Sequence, residues 1–101
     1  MSHASIPQLE RHIRESALDA FNVAFTHHAS LRMRQRGITG VMVLETLRMG
    51  RIRLPPEPDI RYPGWKCRME RLVAGVLVGA VVYVEHPAPG LTVVTVIDLG
   101  E

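Results

Sequence analysis

The sequence has little of what builds disulfide frameworks, metal sites or membrane spans. Cys67 is the single cysteine of the chain, so no internal disulfide can form. The longest apolar run, residues 72–84, is well short of the roughly 20 residues that a membrane helix needs. The first residues lack an apolar stretch behind a basic start, so we expect no signal peptide and a cytoplasmic location. Because Cys67 and the histidines lack ligand spacing, we expect neither a metal nor a cofactor.

Positive charge is concentrated in the middle of the chain. Residues 28–71 hold ten of the twelve Lys and Arg residues against four acidic residues, which gives +6 there. The segments before and after carry −1 and −3, so the net charge is only +2. Eleven of the twelve cations are arginine, which binds phosphates and carboxylates through paired hydrogen bonds. A genome that favours arginine codons would explain the arginine content but not its clustering.

Helix signals dominate the first half of the chain. Ser5 can cap a helix, and apolar residues at intervals of three and four predict that this helix covers residues 6–21. Its expected buried stripe is Ile6, Leu9, Ile13, Ala17 and Phe21. Threonines precede two further helices, over residues 26–37 and 39–50, and a glycine closes each. The expected buried stripe of the third helix is Val41, Leu44 and Leu47.

From residue 51 onward the hydrophobic period changes to two. Residues 51–54 alternate as an edge strand would, and three longer strands follow at residues 66–73, 76–85 and 91–99. Short links between consecutive strands require antiparallel pairing. We therefore predict an α+β domain, in which two or three N-terminal helices pack on one face of a mostly antiparallel sheet of three to four strands.

The predicted register gives the sheet two unlike faces. If Ala74-Gly75 is a turn, one face is apolar and should lie under the helices. Its residues are Cys67, Met69, Val73, Val76, Val78, Ala80 and Val82. The opposite face is partly polar and carries Lys66, Arg68, Glu70, Gly79, Val81 and Tyr83. Such a face can receive a ligand, although a solvated sheet face shows the same pattern. Arg71 falls on the apolar side and needs a partner there.

His28, Arg32 and Arg36 are spaced four residues apart and should align on one side of the second helix. Like charges aligned in this way repel unless an anion faces them, so a phosphate or carboxylate partner is indicated. Cleavage of RNA by its own 2′-hydroxyl needs a base, an acid and fixed positive charge, which a histidine with two arginines can supply. A capping histidine beside a solvated arginine stripe is the alternative.

The pattern His28-Ala29-x-x-Arg32-Met33-x-x-Arg36-Gly37-Ile38, with a later glycine at Gly50 and the strand Val94-Thr95-Val96, resembles the domain of unknown function 4258 family. The resemblance covers roughly residues 25–98. It divides the chain into an N-terminal helical extension, residues 1–24, and a single α+β domain, residues 25–101.

That family is similar to RelE-type and BrnT-type toxins, which are small basic ribonucleases. The resemblance implies a RelE-like architecture and an RNA-directed, metal-independent endoribonuclease, with RNA and an antitoxin-like protein as partners. The candidate catalytic residues are then His28, Arg32 and Arg36. The candidate nucleic-acid-binding residues are Arg34, Lys66, Arg68 and Tyr83.

Two other classes of function remain open. One is a non-catalytic module that binds nucleic acid or an acidic partner. The other is a structural protein in which the first helix or an exposed strand forms a homodimer. No class includes a membrane partner.

Overall fold

The computed structural model describes residues 4–101 and has an α+β architecture. Within these residues the α-helices are α1 (Ile6–Ser16), α2 (His27–Arg36) and α3 (Gly40–Met49), and a single 3₁₀ turn covers Ala20–Asn22. The strands are β1 (Val23–Phe25), β2 (Arg51–Ile52), β3 (Glu57–Pro58), β4 (Trp65–Val73), β5 (Val76–Val84) and β6 (Leu91–Asp98). The predicted α+β class is confirmed, although β1 precedes α2 and α3 in the chain and makes the sheet mixed.

The predicted signals at the ends of α2 and α3 are confirmed. The Thr26 hydroxyl accepts a hydrogen bond from the Ala29 amide at 3.0 Å, so it satisfies one free donor of the first turn. At the other end Gly37 adopts the left-handed conformation, with φ 65°, which favours glycine. The Ile38 amide then donates to the Met33 carbonyl at 2.9 Å, and its side chain is buried. Thr39 caps α3 in the same way as Thr26 caps α2.

The prediction for the first helix is correct at its start and wrong at its end. Ser5 and Gln8 form a reciprocal capping box, but α1 stops at Ser16 instead of residue 21. The Asp19 carboxylate accepts from the Phe21 amide at 3.0 Å, and this local bond competes with helix continuation. As a result Phe21, expected to be buried, is completely exposed.

The stripe predicted for α3 is also displaced. Val41 is exposed, whereas Val43, Thr46 and Leu47 are fully buried. The Thr46 hydroxyl donates to the Met42 carbonyl at 2.8 Å, so its polar group is satisfied inside the core. Because the buried side of α3 includes a threonine, a pattern based only on hydrophobic residues did not identify it.

The described strands form a six-stranded sheet in the order β1-β6-β5-β4-β2, and β3 pairs with the remaining part of β4. The expected three to four strands are therefore an underestimate. The additional members are β1, which runs parallel to β6, and β3, which is antiparallel to β4. Strands of two or three residues show no recognisable period, and they form because β6 and β4 offer free backbone groups along their edges.

The predicted register of the β4–β5 hairpin is confirmed. Val73 lies opposite Val76, and the turn between them has φ 50° at Ala74 and φ 80° at Gly75. Side chains on one face of the hairpin, including Met69, Val78 and Val82, are buried in the core. Arg71 lies at the margin of this face, where its Nε donates to Glu45 on α3 at 3.0 Å.

Helix α1 contributes to the same core as the rest of the domain. Leu9 and Ile13 are fully buried, and Arg14 donates from Nε and Nη2 to the Gly50 carbonyl at 3.0 and 2.6 Å. The boundary at residue 24 stays a prediction, but α1 packs against the domain that follows it. No helix of residues 4–101 is both long enough and apolar enough to cross a membrane.

Candidate functional site

The helices leave one face of the sheet uncovered, and we call this the open face. Its cross-strand rows follow from the register: Lys66, Tyr83 and Thr92 form one row, and Arg68, Val81 and Thr95 form the next. An irregularity between Val81 and Val82 inserts one extra residue in β6. The open face is the partly polar face that alternation along β4 and β5 predicted.

A cavity of about 690 Å³ lies at the polar end of the open face. We call it the open-face cavity. Its walls come from the loop between β3 and β4, from the three long strands and from the residue that caps α2. The lining residues are Thr26, Asp59, Ile60, Arg61, Tyr62, Lys66, Tyr83, Glu85, Thr92 and Val94.

Two tyrosine rings stand together in this cavity. The ring centroids of Tyr62 and Tyr83 are 6.2 Å apart in an edge-to-face arrangement. The Tyr83 hydroxyl donates to Glu85 Oε1 at 2.6 Å. Desolvation, helped by the bond to Glu85, raises the pKa of Tyr83 to about 12. The phenol therefore stays protonated and remains a donor throughout the physiological range.

Gly64 lets the loop approach the sheet closely enough to form this wall. A Cβ added at Gly64 would lie 2.6 Å from both Cε2 of Tyr83 and the carbonyl oxygen of Val84. The loop is closed by a bond from the Asp59 amide to the Gly64 carbonyl at 2.9 Å. The absence of a side chain at this position is thus a steric requirement for the cavity.

The charged groups of the cavity are fixed to different extents. Asp59 Oδ1 accepts from the amides of Arg61 and Tyr62 at 2.7 and 3.0 Å. The bond from Arg61 is the main reason that the pKa of Asp59 lies below its ordinary value of 3.8. Lys66 Nζ is 3.9 Å from Asp59 Oδ2, which is too long for a hydrogen bond and leaves the ammonium free to contact a ligand. Neither Arg61 nor Glu85 forms an ion pair with any residue of 4–101.

Thr26 joins helix α2 to the cavity. Its amide and hydroxyl donate to the carbonyls of Val93 and Val94, at 3.0 and 2.9 Å. These bonds fix the start of α2 beside β6. The N-terminal end of the helix, which carries partial positive charge, therefore lies at the cavity rim.

The predicted nucleic-acid-binding residues are distributed over three places. Lys66 and Tyr83 lie opposite each other and line the open-face cavity. Arg68 donates from Nε to Glu70 Oε2 at 2.9 Å, and with Lys66 it lines a smaller adjacent cavity of about 210 Å³. Arg34 lines a separate cavity of about 720 Å³ between α2 and the start of α3. Their assignment to nucleic-acid binding stays a prediction.

The three candidate catalytic residues follow one side of α2, from an exposed start to a partly buried end. His28 is exposed in the first turn, and Arg32 Nη1 donates to Gln35 at 3.2 Å. Arg36 Nη1 donates to Glu101 Oε2 at 2.9 Å, while its buried Nε finds no acceptor among the described residues. None of the three lines the cavities described above. Only His28 is near the rim, since it is two residues from Thr26 in the chain.

Sequence reasoning missed several residues of the open-face cavity. Glu85 had a usable signal, because it is two residues beyond Tyr83 and ends the strand predicted over residues 76–85. Asp59, Arg61 and Tyr62 had none, because a loop rich in turn residues has no period that predicts which surface it will cover. Among residues 4–101, no group of three or more His, Cys, Asp and Glu side chains could hold a metal ion.

Fold and site together define a small α+β domain with a helix-covered sheet face and an open face that bears a polar, aromatic cavity. The sequence profile of a family described as a domain of unknown function (DUF4258) matches residues 25–98. The chain belongs to this family. Comparisons with curated proteins and with solved structures find no significant match.

Proposed function

We propose that the protein binds single-stranded RNA and that one nucleotide enters the open-face cavity. The observation that carries the proposal is the pair of rings, Tyr62 and Tyr83, beside Lys66 and Arg61 in a cavity of about 690 Å³. Single-stranded RNA is commonly recognised on an uncovered sheet face, where bases stack on aromatic side chains. The volume lies within the range of cavities that hold small ligands.

The polar groups of the cavity match the edges and backbone of a nucleotide. Glu85 and the hydroxyls of Thr26 and Thr92 offer acceptors for base amino groups and for the ribose. Lys66 and Arg61 offer donors to a phosphate, and the start of α2 adds a second favourable site for negative charge. Along the backbone of a longer RNA, Arg34 and Arg68 are further candidate contacts.

RNA cleavage is the second candidate function, and the position of Glu85 beside Tyr83 and Lys66 favours it. In this reaction the 2′-hydroxyl oxygen attacks phosphorus, the bond from phosphorus to the 5′-oxygen breaks, and a cyclic phosphate forms. Glu85 would take the 2′-hydroxyl proton, and Lys66 would stabilise charge on the phosphorane. His28, at the rim, would donate a proton to the leaving 5′-oxygen, while Arg32 and Arg36 would hold the strand.

A RelE-like architecture and a toxin-like role accompany this second candidate. The order of elements, with two adjacent helices followed by antiparallel strands, supports the architecture. The cluster of arginines supports an RNA target. An antitoxin-like protein would then be a partner that blocks RNA access.

Fluorescence anisotropy with a labelled single-stranded RNA tests the binding proposal. Because stacking on one aromatic ring contributes about 1–3 kcal/mol per base, Tyr83→Ala should weaken binding by about 5- to 140-fold. Tyr83→Phe should keep most of the affinity because the ring is retained. Arg11→Ala, which removes an exposed cation of α1, should change affinity by less than about twofold. Equal affinity of wild type and Tyr83→Ala would exclude the cavity as the binding site.

The salt dependence of the same measurement tests the phosphate contacts. Two phosphates neutralised by Lys66 and Arg61 predict a slope near −1.4 for the logarithm of affinity against the logarithm of salt concentration. Lys66→Ala should reduce this slope by roughly 0.7. A slope that Lys66→Ala leaves unchanged would remove Lys66 from the proposed interface.

Cleavage is tested by comparing Glu85→Gln and His28→Ala with wild type on the same RNA. Both variants should lose cleavage by about 100-fold or more, since each lacks a proton-transfer group, but should retain binding. An RNA with 2′-deoxyribose at the cut site should resist wild type. If highly purified wild type leaves RNA intact while binding it, the protein is a binding module.

A further inference from the structure

The end of the open face farthest from the cavity is apolar and uncovered. Leu72 and Leu77 lie opposite each other in the last row of the open face, next to the Val73–Val76 pair that precedes the turn, with 66% and 37% of their surface exposed. Leu99 lies beside Leu77, because its amide donates to the Leu77 carbonyl at 2.8 Å. We call Leu72, Leu77 and Leu99 the leucine surface.

The leucine surface continues toward the middle of the sheet. A Cβ at Gly79 would lie 3.1 Å from Leu99 Cδ1, so this leucine fills the gap that the glycine leaves. Val81 and Ile97 then line the small cavity of about 210 Å³ together with Leu54. Aliphatic side chains thus extend over several adjacent rows, unlike the isolated exposed aliphatics that are normal on a protein surface.

The border of the leucine surface is cationic. Arg51 lies opposite Glu70 on the open face. Glu70 is two residues before Leu72 along β4. Glu70 already forms an ion pair with Arg68, whose Nη2 is 2.9 Å from Glu70 Oε2. Among the described residues Arg51 has no ion-pair partner. Glu101, which is two residues beyond Leu99 in the chain, pairs with Arg36. Positive charge beside the leucines is therefore not neutralised.

We infer that the leucine surface binds an acidic, apolar-faced segment of a partner protein. Apolar side chains of that segment would cover Leu72 and Leu77, and its carboxylates would pair with Arg51. A second copy of this chain fits less well, because symmetric packing on this surface would bring the same unpaired arginines toward each other. RNA fits less well because aliphatic side chains offer neither stacking rings nor donors. The inference does not depend on RNA binding at the cavity.

Selection from a random dodecapeptide phage library on the immobilised full chain tests the inference. Peptides retained by wild type but released by Leu72→Ser/Leu77→Ser should be acidic and should contain aliphatic residues. Leu18→Ser, which changes an equally exposed leucine (71%) outside this surface, is the matched control and should retain them. Arg51→Glu keeps the leucines and should also release the peptides.

Affinities of the selected peptides give the quantitative test. By fluorescence anisotropy, Leu72→Ser and Arg51→Glu should each weaken binding by about tenfold, and salt should weaken binding to wild type. Selection of basic or neutral peptides, equal binding to Leu72→Ser and wild type, or failure to select any peptide would overturn the inference. Sedimentation that shows a dimer of the free chain lost in Leu72→Ser would also overturn it, because a second copy would then occupy the surface.

Discussion

Replacement of Gly64 by alanine should open the cavity by pushing the loop off the sheet. The added Cβ would lie 2.6 Å from the Val84 carbonyl oxygen, and this oxygen cannot move because β5 pairs with β4 and β6 on both sides. It would also lie 2.6–2.7 Å from two carbons of the Tyr83 ring. The clash can therefore be removed only if the loop moves, and this loop carries Asp59, Arg61 and Tyr62.

The size of the effect follows from overpacking. Inserting a methyl group into such a contact costs about 1–3 kcal/mol, and a loss of about 2 kcal/mol lowers Tm by roughly 8–16 °C in a domain of this size. Because the moved loop takes Tyr62 and Arg61 with it, RNA affinity should also fall, by about tenfold. Differential scanning calorimetry and RNA anisotropy measure the two effects on the same preparation.

Gly90→Ala is the matched control. Gly90 also lies in a loop, but it is exposed, and a Cβ there would meet no atom within 4 Å. Its Tm should remain within about 2 °C of wild type. If Gly64→Ala behaved like Gly90→Ala in both assays, the loop would not lie against Tyr83, and the account of the cavity wall would be refuted.

Three further predictions concern the core and the loop. Gly50→Ala should cost about 2–3 kcal/mol in urea unfolding, because the added Cβ would clash with the Thr46 carbonyl oxygen and lie 2.8 Å from that of Glu70; an unchanged midpoint would contradict this. Cys67, whose pKa burial raises to about 12, should resist a disulfide reagent near pH 8 until the protein unfolds, and rapid reaction of the native protein would show that the thiol is accessible. The lowered pKa of Asp59 predicts stabilisation that is present above about pH 4 and lost as the pH falls through the folded-state pKa. Asp59→Asn should therefore approach wild-type stability on acidification, whereas a difference that stays constant from about pH 7 to about pH 3 would exclude a role for this ionisation.

Local chemistry was sufficient to predict the elements that have strong local signals. Helices α2 and α3 lie between threonine caps and glycine stops, and β4 and β5 are long enough for alternation to define their faces. Where local signals compete, prediction was wrong. The apolar spacing of α1 continues to Phe21, but the side chain of Asp19 bonds to the backbone and ends the regular structure earlier.

For the candidate site, too, sequence predicted which side chains share a face but not what those side chains contact. Lys66 and Tyr83 were predicted to share a face because β4 and β5 are joined by a two-residue turn, which sets their register. The alignment of His28, Arg32 and Arg36 follows from helix geometry alone. Their chemical role stays a prediction, because helix geometry does not determine which part of the molecule a side of α2 will face.

Periodicity and capping residues thus determined which segments are helices or long strands and which side chains share a face. Tertiary structure decided what lies opposite those faces: the loop that brings Tyr62 to Tyr83, the parallel strand β1 at the edge of β6, and Glu101 on Arg36. These contacts join residues far apart in the chain, and no local pattern records them. They form because closing the common core brings the free strand edges, loops and chain ends within bonding distance.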